Sequence, residues 1–465
     1  MLTAVVSERP AAGEGPSQGR GFFFNVNFVF LSTVLTYGLG FIVVIVLARA
    51  LGPEGRGLTA LYQAGVNVGF AFFGFGIGAA VIYHVARRDL TPRQALEAGL
   101  SVTLVATALT AAALGAIALL AGDRLEGAGV PFWPALVAVP AVIQFRVVEG
   151  ALRAQGRFGA SNSLELLLPL TTLVSLLAVE ATAGLDVARA IAAWSLSIAA
   201  PVLLGYVLVG RASWPRGLGT LASLIPALRF GLQSQAGNLV QLLNYRLDSY
   251  LVLLFVSTSG VGLYAVGVSL SEGMWFIANS VAVVLLTDLT AGDAAHAARL
   301  TPIVCRNTLA VTAAAALGGA IVAPLVIPAV FGAAFDGALA PFLWLLPGTV
   351  ALAGGKVLAA YVFSRGRPAI NAWIAVATLA VNVGADLALI PAFEVSGAAI
   401  GSSLAYGVSL GLTALAYRRL SGGRISEALL PRAADLSLYV EGLSRIKAAV
   451  RGPGRSGPAP PAGDR

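Results

Sequence analysis

Val240-Gln-Leu-Leu-Asn-Tyr-Arg-Leu-Asp-Ser-Tyr-Leu-Val-Leu-Leu-Phe-Val256 is apolar enough to lie in a bilayer, yet it carries Arg246 and Asp248 two residues apart. A charge at membrane depth costs at least about 2.5–3.5 kcal/mol on insertion scales, and residues that carry one usually face a cavity or a partner. The stretch therefore predicts the wall of a polar cavity inside a transporter. The rest of the chain reads as scaffold for that cavity.

Composition agrees. Of 465 residues, 57% are hydrophobic and 11% charged, with mean hydropathy +0.84, whereas soluble domains carry about 25% charged residues. The class is an all-α polytopic membrane protein. Among the 30 basic residues only Lys356 and Lys447 are lysines, and the net charge of +8 reads as arginines in cytoplasmic loops rather than as a nucleic-acid surface. The lone cysteine, Cys305, excludes an internal disulfide and reads as a small packing residue. The first apolar run is too long for a signal-peptide core, and no small-residue cleavage site follows it.

A helix needs about 20 apolar residues to cross a hydrocarbon layer of ~30 Å. That length predicts about twelve spans, near 22–47, 58–83, 97–121, 129–149, 161–183, 187–210, 230–256, 261–287, 303–331, 337–364, 369–391 and 394–417. Arg87, Arg88, Arg93, Arg153, Arg157, Arg211, Arg216, Arg229, Arg365 and Arg367 fall on one side. Only Arg49, Arg56, Arg124 and Arg189 fall on the other, which puts both termini in the cytoplasm of a plasma-membrane protein.

The chain also repeats itself. Leu51-Gly-Pro-Glu-Gly-Arg-Gly-Leu58 precedes one span as Val256-Ser-Thr-Ser-Gly-Val-Gly-Leu263 precedes another, and Ala154-Gln-Gly-Arg157 matches Ser364-Arg-Gly-Arg367. Each half then holds six spans, and an even number gives the two halves the same orientation. The expected division is a disordered segment 1–21, an N-lobe 22–210, a basic linker 211–229, a C-lobe 230–417 and a cytoplasmic tail 418–465. In the tail Leu436, Val440, Leu443, Ile446 and Val450 share one face of an expected interfacial helix, ahead of a disordered Pro/Gly-rich end.

The sequence has no Walker-type loop and no metal-ligand cluster; His84 and His296 lie far apart. The expected outer loops are short. No enzyme chemistry and no cofactor are expected. Arg246 lies about ten residues before the turn near Ser257–Gly260 and Glu272 about twelve after it, so both sit ~15–18 Å below the turn and are placed to pair. Such a pair reads either as a lock between two helices or as a cavity site. In the second case Arg246 grips an anionic headgroup, with Asp248 or Glu272 as counter-charge. A guanidinium suits phosphate because its planar fork donates two hydrogen bonds.

Ser234, Asn238, Gln241, Tyr245 and Asp248 recur at steps of three and four, which makes a helical stripe. Polar stripes in a bilayer face protein or water. The first span carries Asn25 and the second Gln63 and Asn67, so polar helices come from both halves, as a cavity between lobes requires. Hydrogen bonding between helices without a cavity is the alternative. Lys356 either lines the cavity or snorkels toward the interface near Arg365. Arg146 and Glu149 are spaced to pair, and Asp386, near the end of its span, is expected to be solvated. Trp275 shares a face with Glu272, to stack on a sugar or simply to pack.

Ala48-Arg-Ala-Leu-Gly-Pro-Glu-Gly-Arg-Gly57, Asn244-Tyr-Arg-Leu-Asp248 and Val261-Gly-Leu-Tyr-Ala-Val-Gly-Val-Ser-Leu-Ser-Glu272 resemble the polysaccharide-biosynthesis (oligosaccharide flippase) branch of the MOP exporter superfamily, over Phe22 to about Tyr417. The resemblance implies two parallel six-helix lobes, MATE-like, around a cavity open alternately to either side. It implies transport of an undecaprenyl-diphosphate-linked sugar from the inner to the outer leaflet, with a proton or sodium gradient as driver. The expected substrate-facing set is Arg246, Lys356, Asn238, Gln241, Tyr245, Asn25, Gln63 and Asn67, with Asp248 and Glu272 coupling the ion. Expected partners are the lipid-linked sugar diphosphate, membrane lipid, H+ or Na+, and polysaccharide polymerase machinery. Twelve spans and few cavity cations count against a lipid II substrate. Two other readings stand beside this one. One is an ion-coupled exporter of a small cation, with Asp248 and Glu272 unpaired. The other is a membrane glycosyltransferase or ligase, which needs outer-face catalytic residues that the short loops do not offer.

Overall fold

A backbone in hydrocarbon must satisfy its own N–H and C=O groups, so apolar runs of this length fold as helices. The computed structural model describes the backbone of residues 16–126, 133–291, 293–432 and 435, and no strand occurs among them. The helices are α1 (Pro16–Phe73), α2 (Ile77–Ala86), α3 (Pro92–Glu126), α4 (Ala135–Ala154), α5 (Phe158–Ala183), α6 (Val187–Ser197), α7 (Ala199–Val209), α8 (Leu221–Phe255), α9 (Thr258–Ala291), α10 (Ala294–Phe331), α11 (Leu339–Ser364), α12 (Pro368–Ser421) and α13 (Ile425–Leu429).

Among the described residues, nine helical stretches are long and apolar enough to cross a membrane. Two of them hold two crossings each. A continuous helix of 54 residues would run ~81 Å, far beyond a bilayer. α1 instead breaks at Gly52 (φ 67°, ψ −176°) and α12 at Glu394 (φ 51°, ψ −131°). α8, too polar to rank with the nine, adds a further crossing of 35 residues. This all-α polytopic membrane fold therefore has twelve crossings among the described residues, as the apolar runs predict.

Boundaries differ in places. The expected second span is interrupted at Phe73–Ile77, where Phe75 and Gly76 take left-handed conformations (φ 47° and 66°). The sixth is divided at Ile198, and α8 begins at Leu221 rather than near Phe230. Pro391–Glu394, expected as an outer loop, lies within α12. The tail segment 436–450 and the N-terminal residues 1–15 lie outside the described residues.

α1–α7 pack around one core, in which Ile77, Leu96, Ile143, Val147, Leu152 and Leu164 are no more than 1% exposed. α8–α13 enclose others, around Leu289, Cys305, Val357 and Leu358 and around Val252, Val261 and Ile390. The internal repeat shows in the backbone. Gly156 and Gly366 both close a helix at positive φ (73° and 71°), and Arg157 and Arg367 each donate back to the preceding helix, to Leu152 O (2.9 Å) and Val362 O (3.3 Å).

The two bundles meet mainly along α1 and α2 against α8 and α9. At the end that carries the Gly52 break, a Cβ on Gly57 would stand 2.0 Å from Thr258 O and one on Gly262 1.8 Å from Pro53 O. At the opposite, tail-bearing end, a Cβ on Gly231 would stand 2.1 Å from Phe75 O. Only glycine permits such backbone contact between helices. Arg49 adds hydrogen bonds from α1 to Val330 O (2.7 Å) and Ala329 O (2.5 Å) on α10, so it is a strut between bundles rather than a loop cation. The tail docks on α10, where Arg306 Nε lies 2.6 Å from Asp435 Oδ2.

Candidate functional site

Arg246, nine residues before the end of α8, points toward α9, where its Nη1 lies 3.3 Å from Glu272 Oε1. Their side chains keep 33% and 27% of their surface open, so the pair is not sealed inside the protein. A second guanidinium lies within electrostatic range of both: Arg56, just past the α1 break and 4% exposed. Arg56 was expected in an outer loop. Its hydrogen bond to Thr59 Oγ1 is long (3.5 Å), and its Nε has no hydrogen-bond partner. It belongs to the helix because Gly52 and Pro53 place the turn before it, not after it.

Lys356 stays inside as well. Its Nζ lies 2.7 Å from Asn279 Oδ1 and 4.9 Å from the centre of the Trp275 ring, and it does not reach for the interface. Trp275 leans on Tyr245, with ring centres 4.8 Å apart, and Gln241 lies beside Tyr245. Across the gap, Tyr37 of α1 hydrogen-bonds Asn279 and lies in the field of both Glu272 and Glu165. Three cations, Arg56, Arg246 and Lys356, stand here with one carboxylate, Glu272. Toward the tail-bearing end the N-terminal bundle adds a charge-balanced set. Arg146 donates to Glu149 (2.9 Å), and Arg153 lies 2.6 Å from Glu149 and 2.9 Å from Glu165.

Asp248 does not join Arg246. It is 2% exposed on the opposite side of α8, where it accepts from Tyr264 Oη (2.7 Å) and Ser402 Oγ (2.5 Å). Asp386, expected to be solvated, is fully buried beside Asp248. Asn244 and Asn382 border the same spot, and atoms of Asn244, Asn382, Asp248 and Asp386 there lack hydrogen-bond partners. Two carboxylates in contact repel unless a positive charge is shared between them. The signal for this pair was in the sequence as two i, i+4 couples, Asn244/Asp248 and Asn382/Asp386, each on one face of an apolar helix.

The other expected residues scatter. Asn238 is exposed and hydrogen-bonds only its own helix, at Ser234 O (3.5 Å). Gln63 lines a small crevice inside the N-terminal bundle with Leu47, Tyr62 and Trp194, away from Arg246. Asn67 is half-buried on α1, and the side chain of Asn25 lies outside the described residues.

The family model described as "Polysaccharide biosynthesis protein" matches residues 23–287, from α1 through most of α9. The chain belongs to this family. Similar solved structures are membrane transporters. The lipid II flippase MurJ, in an inward closed conformation, superposes with TM-score 0.71 at 11% identity, covering 91% of this chain and 99% of that one. A multidrug-resistance MATE transporter of the MOP superfamily, inward-facing, gives TM-score 0.66 at 17% identity over 83% and 94%. A MOP-superfamily transporter from Pyrococcus furiosus, described as having a binding pocket of reversed polarity, gives TM-score 0.60 at 18% identity over 85% and 95%. At such identities the likeness is one of fold. No curated protein matches. The family and its structural neighbours support a transporter or flippase of the MOP superfamily.

Proposed function

We propose that the protein carries an undecaprenyl-diphosphate-linked oligosaccharide from the inner to the outer leaflet of the plasma membrane by alternating access, for cell-surface polysaccharide biosynthesis. In this reading both termini are cytoplasmic, and the Gly52 end faces outward. The observation that carries it is the gathering of cations between the bundles: Arg56, Arg246 and Lys356 around Glu272 among the described residues. An ion pair with a third of each side chain open is worth no more than about 1 kcal/mol. A diphosphate, with more acceptor oxygens than one carboxylate, displaces Glu272 from Arg246 at little cost. The polyprenyl tail stays in lipid while the headgroup and sugars cross between the lobes. Trp275 and Tyr245 offer ring faces to a sugar, and Asn279 and Gln241 meet hydroxyls.

Asp248 and Asp386 suit a coupling proton or sodium ion rather than cargo, because both are sealed from the hollow. That burial also argues against a cation exporter, which needs its carboxylates open to the substrate. The test is export of the cell's surface polymer. Arg246→Ala abolishes it at normal protein level, and Arg246→Lys retains part of it, since a point charge lacks the bidentate fork. Full export by the alanine variant refutes the headgroup role.

A further inference from the structure

Arg56 is a charge with no evident reason to be where it is. It is 4% exposed, its Nε is unpartnered, and among the described residues its guanidinium makes one hydrogen bond, to Thr59, 3.5 Å long. A buried cation without a hydrogen-bonded counter-ion is among the costliest features a core can carry. Arg246 lies within its field and opposes it; Glu272 lies within its field and attracts it, but Glu272 is already paired with Arg246 at 3.3 Å. Glu272 thus pairs with Arg246, and Arg56 feels it only at longer range.

The location adds a second constraint. Arg56 is flanked by Gly55 and Gly57, and Gly57 forms the backbone contact with Thr258 and Gly262 that closes the bundles at the Gly52 end. Ala60 and Leu61, one turn further along α1, pack against Val252, Val261 and Tyr264 of the other bundle. When that seam parts, the guanidinium directly behind it is uncovered on the α1 side while Arg246 stays on the α8 side.

We infer that Arg56 is the N-terminal-bundle half of an anion clamp that, with Arg246 on the facing bundle, receives a phosphate or diphosphate group as the Gly52 end opens. This rests on the flippase reading for its cargo but on the buried unpaired guanidinium for its existence. The anion supplies the second negative charge that Glu272 alone does not, so headgroup binding and opening of that end favour one another. Arg56 is a binding residue reached late in transport, whereas Arg246 is open from the start.

The experiment uses the full-length protein in detergent with inorganic pyrophosphate as probe, reading melting temperature and direct binding for wild type, Arg56→Gln and Arg56→Lys. Pyrophosphate stabilises the wild type. Arg56→Gln weakens binding at least about tenfold, the loss of roughly one charge-assisted contact, and Arg56→Lys keeps most of it. Without pyrophosphate, Arg56→Gln melts no lower than wild type, because it removes an unpaired buried charge. A structural arginine gives the opposite pattern: a lower melting temperature for Arg56→Gln and unchanged pyrophosphate affinity. That pattern, or a wild type that does not bind pyrophosphate, overturns the inference. The two readings fail separately. If pyrophosphate binds through Arg56 but cells lacking the protein still export their polymer, the clamp stands and the flippase reading falls.

Discussion

The backbone contacts between bundles make a prediction with a sign at each end of the molecule. Gly262→Ala places a Cβ 1.8 Å from Pro53 O, where real Cβ atoms stay beyond 3.0 Å, so the helices must part by about 1.2 Å. The atom in the way is backbone, and no side chain can swing aside to relieve it. Overpacking of this kind costs about 1–3 kcal/mol. The cost falls only on the state closed at the Gly52 end, so the open state gains about 5–150-fold in relative population. Gly231→Ala does the same at the tail-bearing end, where its Cβ meets Phe75 O at 2.1 Å, and it favours closure at the Gly52 end. A single reporter serves both. Cys305 is the one native cysteine and is buried, so Cys305→Ala gives a clean background. Ala60→Cys then sits on the seam, packed beside Val261 and Tyr264. Maleimide labelling in membranes rises about fivefold or more with Gly262→Ala and does not rise with Gly231→Ala. Equal labelling in both variants, at normal protein level, refutes the idea that these glycines set the two ends of one rocking equilibrium.

Two further outcomes follow from the buried carboxylates. Asp386→Asn removes one of the two negative charges that call for a shared cation, so it abolishes any stabilisation of the purified protein by sodium or by low pH; retention of wild-type ion dependence by this variant places the coupling site elsewhere. At the tail, hydrogen bonding by Arg306 holds the Asp435 carboxyl below the usual carboxylate range. A depressed value adds stability above the unfolded-state value and loses it as pH falls through the folded one. The tail therefore resists proteolysis at neutral pH and becomes cleavable below the ordinary carboxylate range, while Asp435→Asn is cleavable at both; equal resistance of the two at neutral pH removes the clasp.

The crossing count and the depth of Arg246 and Glu272 were legible because both depend only on 1.5 Å of rise per residue. The repeat was legible because the same glycine is needed at the same helix end in each half. What the sequence reading missed is rotational. Residues two apart on a helix point about 200° apart, so Arg246 and Asp248 could never face one hollow, and the stripe through Tyr245 and Asp248 mixed the edges of two faces. Hydropathy also misplaced Arg56, because a Gly-Pro-Glu-Gly-Arg-Gly run reads as loop when it is a turn followed at once by helix. The first error was readable from the helical period itself; the second concerns where a turn ends, which composition does not report. Their correction joins the two halves of the proposed mechanism. α8 carries Arg246 toward Glu272 on α9 and Asp248 toward Asp386 on α12, less than one helical turn apart along the chain. A rigid helix cannot tilt to follow a phosphate on one face without straining the carboxylate contact on the other. In the proposed function a cation held at the carboxylates and an anion carried at Arg246 would act on the same lever, and the proposed coupling needs no path longer than the width of α8.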